Sequence, residues 1–313
     1  MTLHRLASVT IGVPNVDETR AYYTEFGLTP QADGWFSTTD GGRQLRIVSS
    51  PVRRLLAVVV GADDADDIDR IAHNLARLGI DAHRTATSVS AVELATGVTA
   101  TVEVTPRIDQ PRVEPTPYNG PGRIDRGTGR APGVRRDGPV TPRKLGHAVI
   151  GSTDNVITQR FFTEGLGFKV SDEVPGLAAF MRCSTDHHNI LVQQAPINFL
   201  HHTSWQVDDV DEVGRGAMRM LDDNPERHVW GLGRHYAGSN FFWYLKDPAG
   251  NFSEYYSDMD SVIDDQLWTP EVVEGAKGRR CHTLEATVAE RRWWTGVVVG
   301  RRMLTIEDRA EIA

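Results

Sequence analysis

At 313 residues, 40% of them hydrophobic and 24% charged, the chain has the length for about two ordinary domains and the proportions of a globular protein. Its 34 basic and 42 acidic side chains give a net charge of -8, which leaves no global positive field to displace counterions and excludes nucleic acid as an expected partner. No run reaches the roughly 18 uninterrupted apolar residues of a membrane span, and the opening shows no apolar stretch behind a basic start.

Only two cysteines occur, Cys183 and Cys281, too few for a disulfide scaffold and wrongly spaced for a thiolate zinc site. Free thiols in a reducing, cytoplasmic setting are the expectation.

The first element runs from Leu6, where L-A-S-V-T-I-G-V-P-N-V-D-E-T-R-A-Y-Y-T-E-F-G-L reads as an alternating apolar strand, a loop, and a helix ending at a glycine. A second strand and helix follow at A-D-D-A-D-D-I-D-R-I-A-H-N-L-A-R-L-G, from Ala62. The half closes on A-T-G-V-T-A-T-V-E-V. From 106 to 142 the chain is dense in proline, glycine and arginine without strand or helix periodicity, which reads as a linker. Its G-P-G-R-I-D-R-G-T-G-R-A-P-G is a poor phosphate cradle, since no strand precedes it and no helix pattern follows.

The same order of elements then begins again. L-G-H-A-V-I-G-S-T-D-N-V-I-T-Q-R-F-F-T-E-G-L-G-F from Leu145 matches the opening with one residue added just before the closing glycine. V-D-D-V-D-E-V-G-R-G-A-M-R-M-L-D-D-N from Val207 matches the segment at Ala62, and P-A-G-N-F-S-E-Y-Y-S matches the close of the first half. Each half reads as strand, helix and three strands, twice over. Two such modules side by side pool their strands into a curved sheet with helices outside and a concave inner face. The expected division is 1–105, linker 106–142, 143–260, and a C-terminal extension 261–313, in which T-P-E-V-V-E-G-A-K and T-I-E-D-R-A-E-I look helical and the Trp293–Trp294 pair reads as a packing anchor.

Aligned this way, the halves differ where chemistry would sit. His147, His202 and Glu254 of the second half stand opposite Ser8, Ala57 and Thr101 of the first. Each lies on a strand whose alternation can aim it inward. A carboxylate on the half-buried strand N-F-S-E-Y-Y is unfavourable by several kcal/mol unless a cation or donors compensate it, and its uncharged twin shows that the fold does not require one. Two imidazoles and one carboxylate on a single face of an octahedron leave three open positions, an arrangement typical of non-haem Fe(II) sites; zinc more often keeps one. Nearby, T-D-H-H-N-I-L-V places His187 and His188 on a strand, G-L-G-R-H places His235 in a loop, and F-F-W-Y-L-K-D-P-A-G places Tyr244 ahead of a turn shaped by Asp247, Pro248 and Gly250. By alternation, His187 and His201 should point away from the site.

Together, L-G-H-A-V-I, D-H-H-N-I-L-V, L-H-H-T-S-W-Q-V, G-L-G-R-H and Y-L-K-D-P-A-G-N-F-S-E-Y-Y resemble the two-domain type I extradiol ring-cleaving dioxygenases of the vicinal oxygen chelate superfamily, over about residues 3 to 260. The resemblance implies an α+β fold of four βαβββ modules paired into two similar domains, the first without metal. It implies His147, His202 and Glu254 as ligands of Fe(II), for which Mn(II) could substitute. It further implies His188 as the acid/base residue beside the oxygen site, His235 as support for the substrate hydroxyl, and Tyr244 as hydrogen-bond partner of the catecholate oxygen. The substrates would be an aromatic diol and O2, the product a muconic semialdehyde or keto-acid analogue, and the protein a homo-oligomer.

Phe180, Trp205, Phe242 and Trp243 are aromatic candidates for the pocket. A diol with an apolar substituent is expected; a carboxylated one would use an arginine such as Arg182. Two other functions suit the same fold, a metal-dependent glyoxalase-like lyase or isomerase and a metal-free binding protein that sequesters small molecules.

Overall fold

The computed structural model describes residues 2–272, 297–299 and 302–304. Its elements follow the predicted order four times: β1 (Leu3–Val13), α1 (Val16–Glu25), β2 (Thr29–Pro30), β3 (Trp35–Thr38) and β4 (Gly42–Ser49), then β5 (Arg54–Ala62), α2 (Ala65–Arg77), β6 (Ala82–Arg84), β7 (Ser88–Val92) and β8 (Thr99–Val104). The second half repeats this as β9 (Lys144–Ser152), α3 (Asn155–Arg160), β10 (Lys169–Val174), β11 (Ala178–Arg182) and β12 (Ile190–Gln194), then β13 (Phe199–Gln206), α4 (Val210–Leu221), β14 (His228–Arg234), β15 (Phe241–Lys246) and β16 (Phe252–Ser257).

The first sheet runs β2-β3-β4-β1-β5-β8-β7-β6, and the second runs β14-β15-β16-β13-β9-β12-β11-β10, the same topology read from the other edge. Each is a curved mixed sheet in which the first strands of its two modules pair antiparallel at the centre and each then pairs parallel with the last strand of its own module. This is the fold of four paired βαβββ modules.

The residue added in the second half has a structural use. Where α1 ends at Glu25 and turns at Gly27 (φ +99), α3 runs on into a π-helical turn, Phe161–Leu166, before turning at Gly167 (φ +88). A single inserted residue is absorbed as one wide turn. α2 and α4 begin alike, with Asp64 and Asp209 accepting the backbone N–H three residues on.

The two halves pack against each other through their buried apolar faces. One buried apolar cluster runs through both, from Leu6, Tyr22 and Phe26 to Phe162, Trp205 and Tyr255. Phe26 stacks on Tyr255 with ring centres 3.9 Å apart, and the Tyr255 hydroxyl donates to the Phe26 carbonyl at 2.7 Å. Beside this pair Tyr22 and Ser253 share a hydrogen bond of 2.6 Å. These contacts grip the residues on either side of Glu254 from the helix side of the sheet. Gln44 Oε1 also accepts the Leu145 N–H at 2.6 Å.

Residues 106–142 hold only a short 3-10 turn, Pro132–Arg135, and one isolated bridge, Gly120 with Arg123. Arg136 packs on the second half, paired with Asp209 at 2.7 Å and Glu212 at 2.9 Å. Of the segment expected to be helical from Thr269 to Lys277, Glu271–Val272 is instead extended and pairs parallel with β10 as β17. The rest of that segment, the Trp293–Trp294 pair and Thr305–Ile312 lie outside the described residues; Val297–Val299 and Arg302–Leu304 pair antiparallel. No helix among the described residues is long and apolar enough to cross a membrane.

Because the Phe26 ring is fully buried between the halves, Phe26→Ala should lower the unfolding free energy by about 3–5 kcal/mol. Chemical denaturation checks this, and a loss below about 1 kcal/mol would show that the stack adds little.

Candidate metal centre

Strand register builds the site. Tyr244 of β15 pairs with Glu254 of β16, Glu254 with Ser204 of β13, and Ser204 with His147 of β9, so these four residues form one row across the second sheet. The corresponding row of the first sheet is Ser90, Thr101, Val59 and Ser8. There a hydrogen bond of 2.7 Å between the Ser90 and Thr101 hydroxyls occupies the place of the charged group. The internal alignment drawn from the sequence is thus the register of the fold.

Two bulges adjust the row. One sits between Ser204 and Trp205 opposite Gly146, and separates Leu145, which joins the main core, from His147. A Cβ at Gly146 would collide with the ring and hydroxyl of Tyr256. The other falls between Leu200 and His202, so that His201 and His202 no longer alternate. Instead of pointing away, His201 turns its Nδ1 to within 2.7 Å of His202 Nδ1.

His147, His202 and Glu254 meet deep in the concave face, 2%, 3% and 0% exposed. Glu254 Oε2 stands 3.1 Å from His147 Nε2 and 3.4 Å from His202 Nε2, and the two nitrogens are 3.2 Å apart. Yet Oε2 makes no aligned hydrogen bond. Three donor atoms on one ion with bonds near 2.1 Å lie about 3.0 Å apart in octahedral and about 3.4 Å apart in tetrahedral geometry, so the triangle fits a divalent cation that all three ligate. His201 offers the partner that a ligating histidine wants, because in holding an ion His202 would keep Nε2 bare and donate from Nδ1.

The charge balance agrees. Burial pushes the Glu254 carboxyl up, but the imidazoles of His147, His202 and His235 close against it outweigh that and hold it well below the usual carboxylate range. Burial lowers His202 to about 4, against the partial opposition of Glu254, and holds His188 and His201 well below the ordinary histidine value. Among the described residues this is the one cluster of three or more His, Cys, Asp or Glu side chains able to share an ion.

The other expected residues gather around it. The His188 ring lies 4.2 Å from that of His147. His235 Nε2 is 2.9 Å from the Tyr244 hydroxyl and 3.6 Å from Glu254 Oε1, and its side chain, 20% exposed, is the most open of the group. His187 and His188 lie in a bend just before β12 rather than on a strand, so alternation does not govern them. Of the aromatic candidates, Phe180 meets His188 edge to face at 5.2 Å and Phe242 stacks on His235 at 4.0 Å, whereas Trp205 and Trp243 belong to the main core on the opposite face. Arg182 is committed to Ser171, the Val170 carbonyl and Asp265. The cup is walled by Val149, Val174, Ala178 and Leu191 on one side and by Trp230, Phe242, Tyr244 and Phe252 on the other.

Sequence reasoning missed Asn240, fully buried, whose Nδ2 donates to Glu254 Oε1 at 3.2 Å. Nothing in Y-A-G-S-N-F marks it out, since its role depends on a loop that folds back over the sheet. Asn240→Ala should weaken divalent metal affinity by about 10- to 100-fold, the scale for losing a group that orients a ligand; unaltered affinity in a metal titration would remove Asn240 from the site.

Comparison with known proteins bears on this half above all. The model of the Glyoxalase/Bleomycin resistance protein/Dioxygenase superfamily matches residues 144–255. Metapyrocatechase 2 of Cupriavidus necator is 36% identical over 131 residues, 41% of this chain and 41% of that protein. The chain thus matches less than half the length of that curated relative. Along nearly the whole chain, the Mn(II)-bound glyoxalase from Novosphingobium aromaticivorans superposes with a TM-score of 0.69 at 26% identity, covering 88% of each chain. Homoprotocatechuate 2,3-dioxygenase from Arthrobacter globiformis does so with a TM-score of 0.71 at 17% identity, covering 94% of this chain and 91% of that one. The half that carries the His-His-Glu cluster is thus the part that matches the Glyoxalase/Bleomycin resistance protein/Dioxygenase superfamily, and it is set beside a second copy of the same fold that lacks the cluster.

Proposed function

We propose that the chain is an extradiol dioxygenase, opening an aromatic diol with O2 beside its hydroxyls at a centre held by His147, His202 and Glu254. One observation carries this reading: a buried triangle of two imidazole nitrogens and one carboxylate oxygen is flanked by His188 on one side and the His235–Tyr244 pair on the other. The likeness of this half to a metapyrocatechase supports it.

Fe(II), the ion proposed for the site with Mn(II) as its substitute, would supply the open positions for diol and oxygen and the electron transfer that lets a closed-shell ring react with triplet O2. The protein groups do the rest. The Tyr244 hydroxyl, held by His235 Nε2, is placed to hydrogen-bond a diol oxygen and ease its deprotonation. The neutral imidazole of His188, kept from protonating by burial, can take a proton and return it as the ring opens. The apolar walls strip water from the ring and strengthen each polar contact within the cup. With Arg182 already engaged, they favour a diol whose substituent is apolar.

Mixing anaerobically purified, iron-loaded protein with a panel of catechols and admitting air should give the yellow of a ring-cleavage product. His147→Ala, His202→Ala and Glu254→Ala should each lose both metal and turnover; wild-type metal content with activity intact in any of them would rule that residue out. His188→Phe should retain the metal and turn over about 10²-fold or more slowly, and unchanged turnover would remove His188 from the mechanism.

The likeness to a Mn(II)-bound glyoxalase favours a second reading, a lyase or isomerase that needs metal but no oxygen. Turnover that persists under strict anaerobiosis would select it.

A further inference from the structure

His188 does not stand alone at the back of the cup. Its Nδ1 is 3.1 Å from Nδ1 of His187, and His187 Nε2 is 3.0 Å from Oδ2 of Asp172 on β10. The other oxygen, Asp172 Oδ1, accepts the backbone N–H of Glu271 at 2.8 Å. All three side chains are buried: His187 is 0%, His188 4% and Asp172 5% exposed. The segment that follows the second sheet closes over them. The His187 backbone N–H donates to the Asp260 carbonyl at 2.9 Å, the Trp268 ring meets the His187 ring edge to face at 5.3 Å, and Trp268 Nε1 donates to the Ser171 carbonyl at 2.9 Å.

The direction of each hydrogen bond in this chain follows from its end. An ionised carboxylate can only accept, so His187 donates from Nε2. A neutral imidazole carries one proton, so His187 Nδ1 is then an acceptor and His188 must donate to it from its own Nδ1. That leaves His188 Nε2, away from His187, as a bare lone pair.

We propose that Asp172 and His187 are positioning residues that lock His188 in the tautomer protonated on Nδ1, so that it meets the substrate through an unprotonated Nε2. The logic is that of a carboxylate orienting a catalytic imidazole, here passed through a second ring. The stretch at 260–272 takes part, because the Glu271 N–H fixes which oxygen of Asp172 faces His187. The catalytic meaning rests on the reading given above, whereas the direction of the hydrogen bonds does not depend on it.

Asp172→Asn offers a sharp test. With the Glu271 N–H still requiring an acceptor, the amide oxygen stays at the Oδ1 position and the NH2 group faces His187 Nε2. The chain then reverses: His187 carries its proton on Nδ1, and His188 is driven to the Nε2–H form.

The experiment is 15N NMR of the full-length, metal-free protein labelled at histidine, with the His188 signals identified by their loss in His188→Phe. Wild type should show a protonated Nδ1 and a bare Nε2 at His188, and Asp172→Asn should exchange the two. A second variant, His187→Phe, keeps a ring of similar shape but removes the acceptor for His188, and should leave both tautomers populated. In the iron-loaded enzyme, Asp172→Asn should lower kcat about 10²-fold with KM nearly unchanged. A wild-type spectrum with His188 protonated on Nε2, or a tautomer unmoved by Asp172→Asn, overturns the proposal. If the tautomers behave as stated but no catechol is cleaved, the positioning stands and the dioxygenase reading falls.

Discussion

A carboxylate sealed in the middle of a sheet sets the terms for the rest of this molecule. Glu254 is wholly buried, with one oxygen held by Asn240 and the other facing two imidazole nitrogens without an aligned hydrogen bond. Left uncompensated, such a charge disfavours folding by several kcal/mol, so the surrounding structure reads as the means of placing positive charge at that oxygen. Strand register brings His147 and Glu254 into one row, the bulge before His202 turns that ring toward them, and the loop carrying His235 and Asn240 covers the remaining side. The first half contributes from behind, where α1 clamps the residues flanking Glu254.

Two adjacent histidine pairs use one device. In each, the first ring turns its Nδ1 to the Nδ1 of the second, His201 to His202 and His187 to His188. A neighbour that accepts at Nδ1 would free Nε2 of the second ring, for the proposed ion in one pair and for the proposed substrate proton in the other. The first half, with Ala57 opposite His202, has no use for the device at that position, and a hydroxyl pair satisfies its row without charge. Duplication thus gave one fold whose copies divide the work: one copy buttresses, and the other presents the polar groups.

Much of this was legible in the chain. The internal repeat announces four equivalent modules, and placing its halves together picks out His147, His202 and Glu254 because their twins are small and uncharged. The same comparison exposes the extra residue before Gly167, though only coordinates show it as a π-helical turn. What escaped reading depends on contacts far apart in sequence or on broken alternation. Alternation aims His201 away from the cluster, and a bulge cannot be seen in L-H-H-T. T-D-H-H-N-I-L-V reads as strand throughout, whereas β12 begins three residues after His187. Asp172 lies on β10, several strands from the cluster, and reaches His187 only because the sheet curves; nothing in V-S-D-E-V distinguishes it from a solvated surface acid. Trp230, part of the cup wall, looks no different in sequence from Trp205 and Trp243, because strand register decides which of them faces inward.

Two imidazoles and one carboxylate from the second half are proposed to hold a single divalent ion. X-ray absorption at the iron edge of anaerobically loaded protein tests it most directly. The expected result is about one iron per chain in a shell of nitrogen and oxygen only, with the multiple-scattering signature of two imidazoles that diminishes to one in His202→Ala if any iron remains. Iron without imidazole scattering, or iron bound to sulfur, would contradict it.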